Sequence, residues 1–260
     1  MSRLPVPSTA KRISYPTSDG KPMAETDIHR RLMTELIASL QVFYAAEPLV
    51  YVSGNLLLCY EEGNRRKHVS PDVFVVRGVP KHERENYLSW EEGQSPRFVI
   101  ELTSSSTRRE DTDKKFVLYR DVLKVREYFL FDPMVDYLKP SMQGWRLRGG
   151  VYHPIRAVGG RLPSLTTGLH LEGDGNDLRL WNPQTETWLP TPAERADEAE
   201  ARADDALTLA IRRIDRAVAR ADEAIARAIA RADEAVTRAA RAEAELRRLR
   251  ERYGVTDEAS

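Results

Sequence analysis

One carboxylate constrains this chain more than any other side chain. Glu101 stands in R97-F-V-I-E-L-T103, a run whose β-branched and aromatic residues read as a β-strand. Val99, Ile100 and Leu102 make its surroundings apolar, and an ionised side chain there is expensive unless paired or bound to metal. Strand alternation places Val99, Glu101 and Thr103 on one face and Ile100 and Leu102 on the other. A fold that takes this stretch into its core must bring Glu101 a compensating partner.

The flanking segments point the same way. S70-P-D-V-F-V-V76 reads as a strand that carries Asp72, although Asp72 after Pro71 equally reads as the plain opening of a strand. From Gly78 to Pro96 the chain is long and charged, with K81-H-E-R84 and W90-E-E-G93, which predicts a surface insertion. After Glu101, T107-R-R-E110 has capping-box spacing, with Thr107 as the cap hydroxyl and Glu110 reaching back. The helix it starts carries Lys115 and ends near Asp121 to Lys124; V125-R-E-Y-F-L-F131 is then a strand, stopped by Asp132 and Pro133. Strand, helix and strand at this spacing make a parallel crossover, so the fold class is α/β (α+β) with a mixed sheet.

Upstream, residues 1–23 are rich in Pro, Ser and Lys and predict an extended arm. Ile28, Leu32, Leu36, Leu40 and Phe43 recur at helical spacing, so a helix runs from about Ala24 to Ala46 with Thr26 as its cap. The runs from Pro48 to Val52 and from Asn55 to Tyr60 read as successive strands, with Ser53 and Gly54 between them as a tight turn or bulge. From Tyr137 to Leu189 short strands and turns complete the sheet, and G173-D-G-N-D177 reads as a turn because the calcium-loop ligand pattern is missing.

Past Trp188 the composition changes, with Tyr253 the only later aromatic, which sets a boundary near Pro190. Arg-x-Asp-x-Ala recurs from Arg195, Arg202, Arg213, Arg220 and Arg231 at intervals of 7 and 11 residues. Seven plus eleven residues is about five turns of an ordinary helix, so the copies share one face of a single long helix. Its apolar seam, from Leu207 through Ile211, Ile214, Val218 and Ile225 to Leu246, Leu249 and Tyr253, fills the a and d positions of unbroken heptads. The expected organisation is an arm over 1–23, a globular domain over 24–190, a coiled coil over 191–253 that joins copies of the chain, and a disordered tail over 254–260. A solitary charged helix held by i,i+4 pairs is the alternative for the coiled coil.

Charge excludes a global attraction for nucleic acid: Lys plus Arg and Asp plus Glu number 40 each, and the part from Thr191 onward holds 14 Arg against 16 acidic residues. Any nucleic-acid surface is a local patch, with Arg65, Arg66, Lys67, Arg108, Arg109 and Lys114 as candidates. The single cysteine, Cys59, excludes an internal disulfide framework and lies in an apolar run that reads as buried. Neither a signal-peptide core nor an 18-residue apolar run occurs, so the expectation is a cytoplasmic protein without membrane partners.

Two strand carboxylates and a nearby lysine are the parts of a metal-dependent phosphodiesterase. A hard divalent cation, Mg²⁺ or Mn²⁺, takes carboxylate oxygens and acidifies a bound water. Asp72 and Glu101 are the candidate ligands, with the Leu102 carbonyl as a third contact, and Lys115 would orient the water or offset charge on the phosphate. Lys115 equally reads as a solvated residue paired with Asp111 at i,i+4. Ser104 to Ser106 lack a nucleophile elbow, and His29, His68 and His82 lack metal-ligand spacing.

The succession Pro71-Asp72, V99-I-E-L-T-S-S-S-T107, D111-x-x-x-K115-x-x-x-Y119 and V125-R-E-Y-F-L-F131 with Asp132 and Pro133 after it resembles the Uma2 family of the PD-(D/E)XK nuclease superfamily, over about Tyr15 to Leu189. The resemblance implies a restriction-endonuclease-like core, a mixed sheet flanked by helices, and Mg²⁺-dependent DNA cleavage. It also implies that Lys115 stands in for the superfamily's strand lysine, whose place is taken here by Thr103; Thr103, Asp111 and His29 are the candidate auxiliary residues of the site. The expected function is a metal-dependent DNA endonuclease. The alternative is a catalytically inactive nuclease fold that binds nucleic acid or serves as a coiled-coil scaffold.

Overall fold

The computed structural model describes residues 14–18 and 26–253. The expected arm lies outside the described residues except for 14–18, and the tail over 254–260 lies wholly outside them. The chain divides into two compact units, Met1–Arg195 and Ala196–Ser260.

Helix α1 (Asp27–Phe43) begins where Thr26 accepts a hydrogen bond from the His29 amide, 3.2 Å, which satisfies one of the first-turn donors. Its apolar stripe buries Leu32, Leu36 and Leu40, the residues singled out by their spacing.

The main sheet has six strands in the order β1-β4-β6-β7-β8-β9. They are β1 (Val50–Ser53), β4 (Val73–Arg77), β6 (Phe98–Leu102), β7 (Glu127–Phe131), β8 (Met142–Arg148) and β9 (Val151–Pro154). β6 and β7 pair in parallel, with Glu101 opposite Leu130, and the other neighbours pair antiparallel. The mixed sheet read from the crossover is therefore the one observed.

Both faces of the sheet are covered, which is why its central strands carry few polar residues. On one face Phe98, Ile100, Leu102, Phe129 and Phe131 pack with α1 and with a second sheet of β10 (Leu162–Pro163), β11 (His170–Asp174), β12 (Asp177–Asn182) and β13 (Thr187–Trp188). On the other, Val99, Tyr128 and Leu130 pack beneath the crossover helix through Tyr119 and Leu123. G173-D-G-N-D177 forms the turn between β11 and β12.

The run from Asn55 to Tyr60 supplies the strand that follows β1, namely β2 (Leu58–Cys59), which joins β3 (His68–Val69) and β5 (Tyr87–Leu88) in a separate three-stranded sheet. Three local expectations need correction. Of the short strands read between Tyr137 and Leu189, only β8 and β9 complete the main sheet, and β10 to β13 form a sheet of their own. The charged excursion 78–96 is not simply a surface insertion, because Val79 and Tyr87 are buried, and the Arg84 guanidinium, paired with Glu92 at 2.5 Å, covers the Tyr51 ring. The Thr107 hydroxyl does not cap the crossover helix: it accepts from the Ser104 amide, 3.1 Å, and closes the turn that precedes the helix. That helix is wound mainly as π-helix, over Glu110–Lys115 and Leu118–Val122.

A short helix, α2, spans Ser89–Glu92, and helix α3 runs unbroken from Pro192 to Tyr253. A capping box does start this one, since Thr191 Oγ1 accepts from the Glu194 amide at 3.2 Å and Glu194 accepts from the Thr191 amide at 2.7 Å. Its seam residues Ile211, Ile214, Val218 and Ile225 are exposed in the single chain. No helix among the described residues is long and apolar enough to cross a membrane.

Candidate active site

Glu101 lies in the middle of the sheet and its carboxylate is almost wholly buried, with 1% of the side chain exposed. Its partners come from the crossover helix: Lys115 Nζ donates to Oε2 at 2.8 Å, and the Tyr119 hydroxyl donates to Oε1 at 2.5 Å. Asp111, Lys115 and Tyr119 are spaced by four residues, so a single helix face brings all three down onto the strand. Lys115 also lies 3.1 Å from Asp111 Oδ1.

Asp72 is the last residue before β4 and sits where the β4–β6 ladder ends. Its Oδ2 accepts from the Leu102 amide at 2.7 Å, and its Oδ1 lies 3.3 Å from His29 Nε2 on α1. A strand residue points its N–H and C=O to the same edge, so the Leu102 carbonyl also faces the side of Asp72. Gly54 allows this arrangement: a Cβ there would meet the Asp72 carbonyl oxygen at 1.9 Å. The side chains of Asp72, His29 and Lys115 are 15%, 19% and 14% exposed, so the site opens to solvent at these three groups and closes at Glu101.

The electrostatics follow from three carboxylates gathered around one ammonium. Burial, with Asp72 and Asp111 nearby, pushes the Glu101 carboxyl well above its usual range in spite of Lys115. Burial would also raise Asp72, but the bond to His29, the charge of Lys115 and the Leu102 amide hold it below the ordinary value. Burial lowers Lys115 less than Glu101, Asp111 and Asp72 raise it, so its ammonium is retained. Burial and the Glu101 charge push the Tyr119 hydroxyl well up, which keeps it a proton donor.

Thr103, in the next place on the Glu101 face, is buried and donates from Oγ1 to Asp111 Oδ2 at 2.7 Å. The Tyr137 hydroxyl meets the same Oγ1. Of the candidate residues, the structure thus brings together His29, Asp72, Glu101, Leu102, Thr103, Asp111 and Lys115. Arg108, Arg109 and Lys114 are exposed on the crossover helix, Arg108 over the Tyr137 ring, while Arg65, Arg66 and Lys67 are exposed in the β2–β3 hairpin. Sequence reasoning gave no role to Tyr119 or Tyr137. The four-residue step from Lys115 to Tyr119 was a usable signal for the first, whereas nothing local marks the second.

Among the described residues, no group of three or more His, Cys, Asp or Glu is placed to hold a metal ion. Mg²⁺ needs fewer, since it takes one or two carboxylates and keeps several waters. Asp72 and Glu101, with the Leu102 carbonyl on the same edge, supply oxygen donors only. The donor set fits a hard divalent cation.

The model of the Uma2 family, described as "Putative restriction endonuclease", matches residues 2–174. Among solved structures, the crystal structure of "a putative nuclease belonging to DUF820 from Anabaena variabilis ATCC 29413" is similar at 14% identity and a TM-score of 0.39, over 57% of this chain and 79% of that one. No curated protein matches the chain.

Proposed function

The chain belongs to the Uma2 family, and on that premise we propose that it is a divalent-metal-dependent endonuclease that hydrolyses phosphodiester bonds in DNA. One observation carries the reading: a retained lysine ammonium, 2.8 Å from the Glu101 carboxylate, in a site that opens to solvent beside Asp72.

In this reading Asp72, Glu101 and the Leu102 carbonyl would hold Mg²⁺ or Mn²⁺, which when bound would supply an acidified water as the nucleophile. The Leu102 amide and His29 keep Asp72 ionised and aimed. Tyr119 fixes one oxygen of Glu101 and keeps its own proton. Lys115, at the open side, meets the scissile phosphate and offsets its growing charge. Arg108, Arg109, Lys114 and the hairpin cations Arg65, Arg66 and Lys67 hold the phosphate backbone nearby. The exposed seam of α3 joins copies of the chain.

The test is plasmid nicking and single-strand cleavage in Mg²⁺ and Mn²⁺. Asp72→Ala should abolish cleavage, Lys115→Ala should lower it on the order of 10²–10³-fold, and chelation should remove it from the wild type. Wild-type protein that binds duplex but cuts no substrate with any divalent ion would sink the enzyme reading and leave the nucleic-acid-binding one.

A further inference from the structure

Thr103 occupies the strand place two residues beyond Glu101, on the same face, yet it has no charge to contribute. Its surroundings assign it another task. Its amide donates to the Phe131 carbonyl at 2.7 Å, which ties its backbone to β7, and its hydroxyl donates to Asp111 Oδ2 at 2.7 Å. Asp111 is held a second time through its carbonyl, which accepts from the Tyr128 hydroxyl at 3.0 Å, and its other carboxylate oxygen faces Lys115 at 3.1 Å. Both Thr103 and Asp111 are 2% exposed, so neither bond competes with water.

A lysine side chain is a flexible four-carbon stem with three donor protons, and alone it cannot keep one direction. Here two donors are taken, by Glu101 on the strand and by Asp111 on the helix, and one is left over. We propose that Asp111 is a positioning residue for Lys115 and that the Thr103 hydroxyl locks it, so that the strand place serves the lysine without supplying it. The proposal rests on the reading of Lys115 as the group that meets the phosphate.

The experiment is steady-state DNA cleavage by Thr103→Val, Thr103→Ser, Asp111→Asn, Lys115→Ala and Thr103→Val/Lys115→Ala, with melting temperatures measured alongside. Thr103→Val should lower kcat about 10–100-fold, as loss of a supporting hydrogen bond does, with KM unchanged. Thr103→Ser should restore most of it, and Asp111→Asn should match Thr103→Val. In the Lys115→Ala background Thr103→Val should cost nothing further, because the group it serves is gone. A Thr103→Val loss that multiplies with that of Lys115→Ala, or that Ser does not rescue, overturns the proposal. If Thr103→Val does not fold, Asp111→Asn decides: wild-type kcat overturns the positioning role, and reduced kcat at unchanged KM, again not compounding with Lys115→Ala, supports it. A wild-type rate in Lys115→Ala itself would instead sink the reading on which the proposal stands.

Discussion

Glu101 and Glu127 stand on neighbouring parallel strands, both almost fully buried, and their environments treat them in opposite ways. Around Glu127, Ser164 donates at 2.5 Å, Arg146 at 2.7 Å, and the Leu165 and Thr166 amides at 3.0 Å. Burial alone would raise its carboxyl, but these donors bring it below the ordinary carboxylate value. Glu101 has one ammonium shared with Asp111 and lies under two other carboxylates, and its carboxyl is raised. The contrast sets a carboxylate whose donors hold it ionised against one whose surroundings disfavour its charge. Glu127→Gln should cost about 3 kcal/mol at neutral pH, because it leaves Arg146 inside without its counter-charge. A depressed folded value gives stability that is present above the unfolded carboxyl value, about 4.3, and is lost as the pH falls through the folded one. The gap between wild type and variant, followed by thermal unfolding, should therefore close below about pH 4. Glu101→Gln removes a charge that its site disfavours, so it should melt at or above the wild type at neutral pH while losing cleavage.

At the scale of elements, the site is the start of β4, the C-terminal end of β6 and one face of the crossover helix. The start of β4 depends on how closely the chain after β1 approaches it, and Gly54 is the residue that allows this. Gly54→Ala forces a methyl into the Asp72 carbonyl and should destabilise by about 1–3 kcal/mol, with cleavage falling more than that of a control of equal melting temperature. The strands themselves were legible, since apolar β-branched runs fold as they read. The helix start was not. T107-R-R-E110 and T191-P-A-E194 have the same pattern, but only the second becomes a capping box. Pro192 presets the first helical residue there, whereas at Thr107 the preceding Ser104 amide takes the hydroxyl. Arg84 misled in a similar way: its charge reads as surface, and only Glu92, eight residues on, together with the Tyr51 ring makes it a core residue.

For the whole molecule, the two units permit a clean separation. A chain ending at Arg195 keeps the Thr191–Glu194 box and the bond of Arg195 to the Pro190 carbonyl, 2.7 Å, so the first unit should fold without the rest of α3. Light scattering should find fewer chains per particle than for the full chain, because the apolar seam has been removed; equal numbers would leave α3 a solitary helix.

The sequence by itself determined three things: that a carboxylate would stand inside an apolar strand and require a partner, that a parallel crossover would set a helix over it, and that residues repeating every 18 positions would form one long helix. All three are consequences of local periodicity and burial. Tertiary structure alone decided which partners the buried polar groups found. Thr103 meets Asp111 across the π-wound turn, and Glu127 meets Ser164 from 37 residues away. A hydrogen bond is chosen by distance in space, and only the packed sheets and helices bring those donors within reach.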